Sequence, residues 1–480
     1  MKNRRLSKYR DYTVLENVDD FHKRKFDLIL DMSGELQKLN KDVSQQLYSF
    51  QPLMKDIWLS FYIEKPELKK QVYDEVAINK EILNQIMNDE SYKDYRSISK
   101  MDELSSAIAT LIVGKRVYEW VQDMKDRHKK IEELSEKIQE MEEQTEEHQE
   151  NLSEEEKIQQ QQQLQQYHQQ LHKEFQKALK KHQKNLVSEI QDSMETANMV
   201  NHQVFELLGN GHNKSELQKV PLRDRLYLAE SLSTNSRLQQ VAEWAGRMKS
   251  IALKKQKSKH EKSINPNGIA FGSEVENILP SEWLMYAHPT IKMDFLRRFV
   301  EGQTLQYNKK DKEVLGKGPI VCCLDQSGSM NYLDAQAKGF LLALLLIAKK
   351  QRRDFAYIPF DSSVGKVRIY EKGKISTHEM VQIANEFLGG GTDFSMPLRK
   401  SMEIINQSKF KKADVIFITD GEDILSTEFL NSFNQAKKEK DFQVISLVLK
   451  NSKDSCELFS DKTVSITDFT DENAHVAFEI

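Results

Sequence analysis

Three oxygen-bearing side chains stand at alternate positions directly after an apolar run. Asp325, Ser327 and Ser329 follow the run 320–324, which is short, continuously apolar and β-branched at its start, as in a buried strand of a parallel sheet. A carboxylate and two hydroxyls are the hard oxygen ligands that Mg²⁺ and Mn²⁺ prefer. Because such a cation takes about six oxygens, the pattern predicts a metal site that needs further ligands from elsewhere in the chain.

Two later stretches could complete this site. A run of glycines, 389–391, delivers the hydroxyl of Thr392, and a second apolar run, 415–418, ends on Thr419 and Asp420. In an open α/β sheet, ligands bind at the carboxyl ends of the strands. Thr392 and Asp420 are therefore expected to meet the first three side chains at one edge of a sheet.

In this order the five side chains resemble the metal-ion-dependent adhesion site of von Willebrand factor A (VWA) domains. The resemblance implies that Ser327, Ser329 and Thr392 are hydroxyl ligands, directly or through water. It implies that Asp325 and Asp420 hold the metal, Mg²⁺ or Mn²⁺, mostly through hydrogen-bonded water. It also implies a coordination position left open for an acidic side chain of a protein client.

A D-x-S-x-S sequence alone is a weak signal, since Ser and Asp favour turns through local hydrogen bonds. The order of the three pieces and the intervals between them make the signal specific. Three further acids lie nearby, Asp393, Glu422 and Asp423. We interpret them as local turn acceptors or solvated acids rather than ligands.

The stretch 316–480 is predicted to be a C-terminal α/β, doubly wound, Rossmann-like VWA domain. Its predicted strands are 320–324, 355–360, 366–370, 414–419, 443–449 and 464–466. Its predicted helices are 332–351, 377–387, 394–406 and 427–438. Right-handed crossovers between parallel strands would bring the three metal-site loops to one edge.

The composition limits the classes of function. The net charge of −4, from 70 basic and 74 acidic residues, argues against a general nucleic-acid surface. The longest apolar run, 340–348, is too short for a membrane span, and no apolar signal-peptide core follows the basic N-terminus. Three cysteines form neither a disulfide framework nor a zinc set. We expect a cytoplasmic protein with no membrane span.

The part before 316 is predicted to be all-α and multidomain. Residues 1–114 have the apolar spacing of amphipathic helices, and 200–315 is interpreted as a continuation of this helical domain with a linker. Between them, 115–199 carries a seven-residue apolar repeat flanked by Glu, Gln and Lys, which indicates a coiled-coil-like helical hairpin. Ser153 and Glu156 form a capping box and place the turn near 150–152. The hairpin is expected to project from the helical domain, and the alternative is a disordered glutamine-rich linker.

Two weaker motifs in this part are not interpreted as sites. His168 and His172 are four residues apart, but Gln169 stands where a zinc protease needs Glu. They are expected to be exposed histidines of a helix. The segment 209–215 lacks the second glycine of a phosphate-binding loop and follows no apolar strand, so it is interpreted as a turn, and no nucleotide-binding residue is predicted.

The segments 245–248, 279–282 and 318–321 look like those of ViaA-type proteins. These are cytosolic proteins with a helical N-terminal half and a C-terminal VWA domain. The resemblance implies a MoxR-type AAA+ ATPase as partner and a chaperone-like role in the remodelling or maturation of protein complexes. The role of the glutamine-rich hairpin stays open.

The function favoured by the sequence is therefore metal-dependent protein binding, with no catalytic residue. A Mg²⁺-dependent phosphohydrolase of the haloacid-dehalogenase type is an alternative, because it also begins with an acid at a strand end. That chemistry needs a second Asp two residues later, where this chain has Ser327. A subunit of a metal-chelatase-like or gas-vesicle-like assembly is a third possibility, disfavoured by the lack of a fused AAA+ module.

Overall fold

The structure is a computed structural model that describes residues 12–147, 154–208, 217, 219–262, 269–275, 278–307, 318–421, 423–449 and 454–465. The chain divides into two compact units. The first comprises 1–242 with 376–385, and the second comprises 243–375 with 386–480.

Most of the described part of the first unit is helical, and Leu15 and Leu68 form an isolated antiparallel bridge. Its helices are α1 (Asp20–Met32), α2 (Gly34–Gln46), α3 (Leu53–Tyr62), α4 (Ala77–Asn88), α5 (Glu90–Ser99), α6 (Glu103–Arg127), α7 (Lys129–Glu147), α8 (Glu154–Leu208), α9 (Leu222–Thr234) and the start of α10 (Ser236–Lys262). Several of them begin at an N-cap whose side chain accepts a backbone N–H, as Asp19, Ser33 and Asp102 do. Local capping chemistry thus sets where these helices begin, and the all-α prediction is confirmed for this unit.

Helices α7 and α8 form an antiparallel pair. The ring of His128, next to the start of α7, lies 5.6 Å from that of His182, and Glu142 near its end lies 3.8 Å from His168. As the residue number rises from 128 to 142 on one side of the pair, it falls from 182 to 168 on the other, as an antiparallel hairpin requires. The predicted turn at 150–152 and the Ser153 cap lie outside the described residues.

The prediction that this hairpin projects from the helical domain is wrong. Helix α8 packs along α4, α5, α6 and α9 as well as α7. Its apolar side chains are buried along the length of the helix, from Leu171 through Ile190 to Val204. The expected boundaries at 114 and 199 each fall inside a continuous helix, α6 and α8. The apolar face of α8 therefore covers several helices instead of a single coiled-coil seam.

The prediction of exposed histidines fails for the same reason. His168 is 2% exposed and faces Glu142, which is also buried. His172 is partly buried, 3.9 Å from Glu81. Both histidines lie on the packed side of α8, so the four-residue spacing reflects the helical repeat of a buried face.

A buried carboxylate holds the first described segment of the chain. Asp56 of α3 is fully buried and accepts hydrogen bonds from Thr13 Oγ1 and from the backbone N–H of Val14. Lys69 Nζ donates to the carbonyl of Thr13. Burial raises the pKa of Asp56 to about 6, against the lowering effect of these hydrogen bonds.

We expect the free energy of unfolding to fall by about 1 kcal/mol between about pH 5 and pH 7 because of Asp56. The unfolded carboxyl group ionises near 3.8, whereas the folded one keeps its proton up to about 6. Over this interval the folded state binds more protons, so its stability decreases as the pH rises. Urea denaturation at both pH values should show the decrease in the wild type and its loss in Asp56→Asn. Asp94→Asn, an exposed position on α5, should behave as the wild type, and an unchanged pH dependence in Asp56→Asn would contradict the assignment.

After α10, the second unit contains a small two-stranded sheet that the sequence did not predict. Strands β1 (Ile269–Gly272) and β2 (Thr304–Tyr307) pair antiparallel. Helices α11 (Pro280–Ala287) and α12 (Lys292–Val300) lie between them in the chain. Glu282 is buried and accepts from Arg298 and from the N–H of Leu305. The region read as continued helix and linker therefore contains a two-stranded sheet.

The larger sheet of the second unit has six strands in the order β5-β4-β3-β6-β7-β8. They are β3 (Ile320–Asp325), β4 (Phe355–Phe360), β5 (Arg368–Tyr370), β6 (Asp414–Thr419), β7 (Val444–Val448) and β8 (Lys462–Ser465). The β4–β5 pair is antiparallel and the other pairs are parallel. All six predicted strands are present, and the predicted doubly wound α/β fold is confirmed.

The helices of the α/β part follow the predicted alternation. They are α13 (Asp334–Gln351), α14 (Thr377–Asn385), α15 (Ser395–Ile405), α16 (Thr427–Lys440) and the short α17 (Asp454–Glu457). Helix α13 is buried along most of its length, as its apolar sequence indicates. Helix α14 belongs to the first unit, where His378 Nδ1 lies 3.1 Å from the hydroxyl of Tyr227 in α9. No helix in the described ranges is both long enough and apolar enough to cross a bilayer.

Candidate metal centre

The candidate ligands lie where the winding of the sheet reverses. The chain passes from β3 to β4 on one side of β3 and later returns to β6 on its other side. The two strands that carry the predicted ligands, β3 and β6, are therefore neighbours, with parallel pairing. Such a switch point leaves a crevice at the carboxyl ends of the strands. Asp325 is the last residue of β3, and Asp420 directly follows β6.

Hydrogen bonds connect four of the five predicted side chains. Asp325 Oδ1 accepts from the N–H of Ser327 at 2.8 Å, and the hydroxyls of Ser327 and Ser329 lie 3.2 Å apart. Ser329 Oγ donates to Asp420 Oδ1 at 2.8 Å. The loop after β3 and the loop after β6 thus meet through side-chain oxygens that the sequence singled out.

The fifth residue, Thr392, reaches the same place through the glycine loop. The N–H of Gly389 donates to the carbonyl of Gln326, and the N–H of Gly328 donates to the carbonyl of Gly390, both at 2.9 Å. Gly389 has a φ of +79°, which favours glycine over other residues. A Cβ built on Gly421 would lie 3.6 Å from Thr392 Oγ1, so Thr392 lies against the residue that follows Asp420.

The two carboxylates and Ser327, which is 2% exposed, are buried, whereas Ser329 and Thr392 are more accessible. Asp325 and Asp420 are 1% and 2% exposed, whereas Ser329 is exposed and Thr392 half-buried. Burial raises the pKa of Asp325, and the nearby Asp420 carboxylate raises it further, while hydrogen bonds from Thr419 and Ser327 oppose the shift. Two buried acids close together are a costly arrangement that a cation would relieve.

This donor set fits a hard divalent cation. It offers two carboxylates and three hydroxyls, all oxygen ligands, of the kind that Mg²⁺ and Mn²⁺ accept together with water. Over the described residues, no group of three or more His, Cys, Asp and Glu side chains could hold a metal ion. Any metal bound here would therefore depend on the hydroxyls, which sets this centre apart from zinc sites.

Two residues that support the site were not predicted. Thr419 Oγ1 donates to Asp325 Oδ2 at 2.5 Å and also accepts from the N–H of Gly421. Asp361 directly follows β4 and accepts from the N–H groups of Ser363 and Gly390. A Cβ on Gly390 would lie only 2.5 Å from Asp361 Oδ2, which explains the glycine there. Asp361 follows an apolar strand, the same signal that identified Asp325 and Asp420.

The nearby acids accept hydrogen bonds from the backbone. Asp393 accepts from the N–H and the hydroxyl of Ser395, as a local turn acceptor does. Asp423 accepts from the N–H of Phe394 at 2.7 Å and thereby links two of the loops, which a local turn acceptor would not do. Glu422 lies outside the described residues.

Comparisons with known proteins agree with this fold. The family model described as "VWA domain containing CoxE-like protein" matches residues 303–435. The uncharacterized protein MJ0811 of Methanocaldococcus jannaschii is 27% identical over 96% of this chain and 98% of its own length. MJ0077 of the same organism is 32% identical over 61% of this chain and 75% of its own. The regulatory protein ViaA of Photorhabdus laumondii is 26% identical over 41% of this chain and 46% of its own.

Proposed function

Because the chain belongs to the ViaA-type family of VWA-domain proteins, we propose that it is a metal-dependent binding protein. In this role it is the partner or regulator of a MoxR-type AAA+ ATPase in chaperone-like remodelling of protein complexes. The observation that carries the metal-binding part is the 2.8 Å contact between Ser329 Oγ and Asp420 Oδ1. It joins two strand-end loops through the side chains that the sequence selects as ligands.

The five side chains would hold Mg²⁺ or Mn²⁺ at the carboxyl edge of the sheet. Ser327, Ser329 and Thr392 would contribute hydroxyl oxygens, and Asp325 and Asp420 would act mostly through water. When bound, the cation supplies a fixed positive charge that takes one carboxylate oxygen of a client in a defined direction. The exposure of Ser329 supports access for such a client from solvent.

The ATPase partnership rests on the resemblance to ViaA-type proteins. The relative from Photorhabdus laumondii is named a regulatory protein, and a regulatory role is carried over here. The sequence contains no phosphate-binding loop with the required glycines. ATP hydrolysis therefore belongs to the partner, and the helical half is proposed to dock to it in the cytoplasm.

Binding is favoured over catalysis by the residue types at the site. A phosphohydrolase of the haloacid-dehalogenase type needs a second carboxylate where Ser327 stands. Ser327 and Ser329 contact each other and, through Ser329, a carboxylate, with no histidine in these contacts to act as a base. The arrangement is suited to coordinating a cation, and the same loops could form the surface to which a client protein binds.

We expect the tagged protein to recover an AAA+ ATPase and client proteins from an extract of its own organism in the presence of Mg²⁺. The two classes should respond differently to loss of the metal centre, because only the client is held by the cation. With EDTA, or with Asp420→Asn, the clients should be lost and the ATPase retained. Quantitative mass spectrometry of the eluates measures both.

Asp441→Asn provides a matched control, because Asp441 lies exposed after the end of α16, where it pairs with Lys412. It should retain both the clients and the ATPase. Repeated absence of an AAA+ ATPase would remove the proposed partnership. Clients that persist in EDTA would show that they do not bind through the metal.

A further inference from the structure

Several exposed apolar side chains lie close in sequence to the candidate ligands. Ile424 is 98% exposed and Tyr332 67%, and Met396 and Leu388 are exposed to a lesser degree. Each lies no more than four residues from Ser329, Thr392 or Asp420. Single exposed apolar residues are ordinary, but four of them within four residues of the candidate ligands form a feature of that site.

The acidic side chains of the same region, in contrast, are engaged in hydrogen bonds. Asp361 accepts from the N–H of Gly390, Asp393 from that of Ser395, and Asp423 from that of Phe394. Each of these carboxylates is thus bound to the backbone of the loops. The usual surface arrangement is reversed here, with acids engaged by backbone N–H groups and apolar side chains exposed to solvent.

The backbone that carries these apolar side chains is held in place. The glycine loop after Leu388 is bound to the loop after β3 by two backbone hydrogen bonds. Asp423 bonds the N–H of Phe394 and also that of Ile424, at 2.7 and 2.8 Å. A partner that covers Ile424 would therefore meet a loop that is already ordered, which reduces the entropic cost of binding.

Resting on the proposed metal-dependent function, we infer that the site takes a single carboxylate flanked by apolar side chains on a protein segment. Apolar groups around a central polar contact exclude water from it and strengthen it. The carboxylates of Asp361, Asp393 and Asp423 repel further negative charge near the centre. A strongly acidic segment is therefore a poorer ligand than one acid among apolar residues.

The test uses two fluorescent peptides with identical Gly-Lys ends and one central glutamate. The glutamate is flanked on both sides by leucines in one peptide and by serines in the other. Anisotropy titrations in Mg²⁺ and in EDTA measure affinity for the full-length protein, and calorimetry measures Mg²⁺ binding separately. The leucine-flanked peptide should bind about tenfold more tightly in Mg²⁺, the order expected for burying one aliphatic side chain.

Ile424→Ser and Tyr332→Ser should reduce this preference while leaving Mg²⁺ affinity unchanged. Leu458→Ser is the matched control, because Leu458 is 56% exposed and lies near Asp461, which bonds the start of β7 at the opposite edge of the sheet. It should retain the preference.

The outcomes separate this inference from the function on which it rests. If the protein binds Mg²⁺ but shows no preference between the peptides, the inference alone is overturned. The same holds if the preference persists in both Ile424→Ser and Tyr332→Ser. Failure to bind either peptide despite Mg²⁺ binding has the same consequence. Absence of Mg²⁺ binding in calorimetry overturns the proposed function and the inference together.

Discussion

Replacing Asp325 with asparagine is expected to lower the affinity for Mg²⁺ by about 100-fold. This is the upper end of the range for losing a residue that holds a metal through hydrogen bonds to its ligands. The two oxygens of Asp325 accept from the N–H of Ser327 and the hydroxyl of Thr419. An amide can keep only one oxygen acceptor and carries no charge. The variant therefore loses both the charge that attracts the cation and part of the geometry of the Ser327 loop. Isothermal titration calorimetry of the purified protein measures the change.

Asp393→Asn is the control for this prediction, because Asp393 lies next to Thr392 but accepts from Ser395 in its own turn. Its Mg²⁺ affinity should change far less than that of Asp325→Asn, because it loses a nearby charge but no candidate ligand. Thermal unfolding adds a second readout, since a ligand that binds only the folded state raises the melting temperature. Mg²⁺ should raise it for the wild type and Asp393→Asn but not for Asp325→Asn. Equal affinities in all three proteins would exclude Asp325 from the metal site.

Without metal, Asp325→Asn should have a stability close to that of the wild type. Burial and the Asp420 carboxylate raise the pKa of Asp325, so the ionised side chain is unfavourable in the folded protein. A neutral amide removes that cost, which offsets the loss of one hydrogen-bond acceptor. A loss of metal affinity together with retained stability would assign the effect to the site and not to unfolding.

The loops that carry the candidate ligands could be located from the sequence because two of them follow a recognisable strand end and the third begins with glycines. The runs before Asp325 and Asp420 are continuously apolar, as strands buried on both faces must be, and a polar residue that ends such a run lies at the edge of the sheet. The glycines before Thr392 indicated a turn that delivers its hydroxyl, and Gly389 has a positive φ in the structure. Local sequence thus located each piece, and the parallel topology brought the pieces together.

The supporting contacts of the site could not be found in this way. Thr419 bonds Asp325 across two strands that are far apart in sequence. The fully buried side-chain amide of Gln326 donates to the hydroxyl of Tyr357. Such contacts depend on the register between strands, which the sequence of either strand does not specify. Asp361 is different, because its position directly after β4 carried the same signal as the predicted ligands.

The small sheet of β1 and β2 was missed because its strands carry little local signal. Each has four residues, and one ends in glycine, which weakens a strand. Their pairing joins residues more than thirty positions apart, such as Gly272 and Thr304. The two helices between them show a clear apolar periodicity and therefore determined the interpretation of the whole region.

The burial of the hairpin exposes an ambiguity in apolar repeats. A seven-residue repeat fits a two-helix seam, but on a long helix a 3.6-residue periodicity over a few turns looks nearly the same. In α8 the buried positions face α7 at one point and α4, α5 or α9 at others. Gln176 donates to Glu81 of α4, and Gln191 to Asp89, which caps α5. The glutamines thus serve as contacts with the helical body, which composition alone did not indicate.

Phe175→Ala is accordingly expected to lower the free energy of unfolding by about 3–5 kcal/mol, the usual cost of removing a buried aromatic ring. Phe175 is 2% exposed, and its ring lies 5.3 Å from that of Trp120 in α6. It also lines a gap of only about 10 Å³ together with Leu47 and Phe50, so the surrounding interior is close packed. Urea denaturation followed by tryptophan fluorescence measures the loss.

Ile158→Ala gives the contrast on the same helix, since Ile158 is 53% exposed and should change stability by less than about 0.5 kcal/mol. In a projecting hairpin, Phe175 would be buried only against the hairpin's own first arm, which includes Trp120, so its loss would leave the stability of the helical body unchanged. In the packed arrangement Phe175 also borders Leu47 and Phe50 of the helical body, so its removal leaves a cavity there and destabilises the whole unit by several kcal/mol more than Ile158→Ala does. Similar stabilities for the two variants would show that α7 and α8 do not share the core of the helical unit.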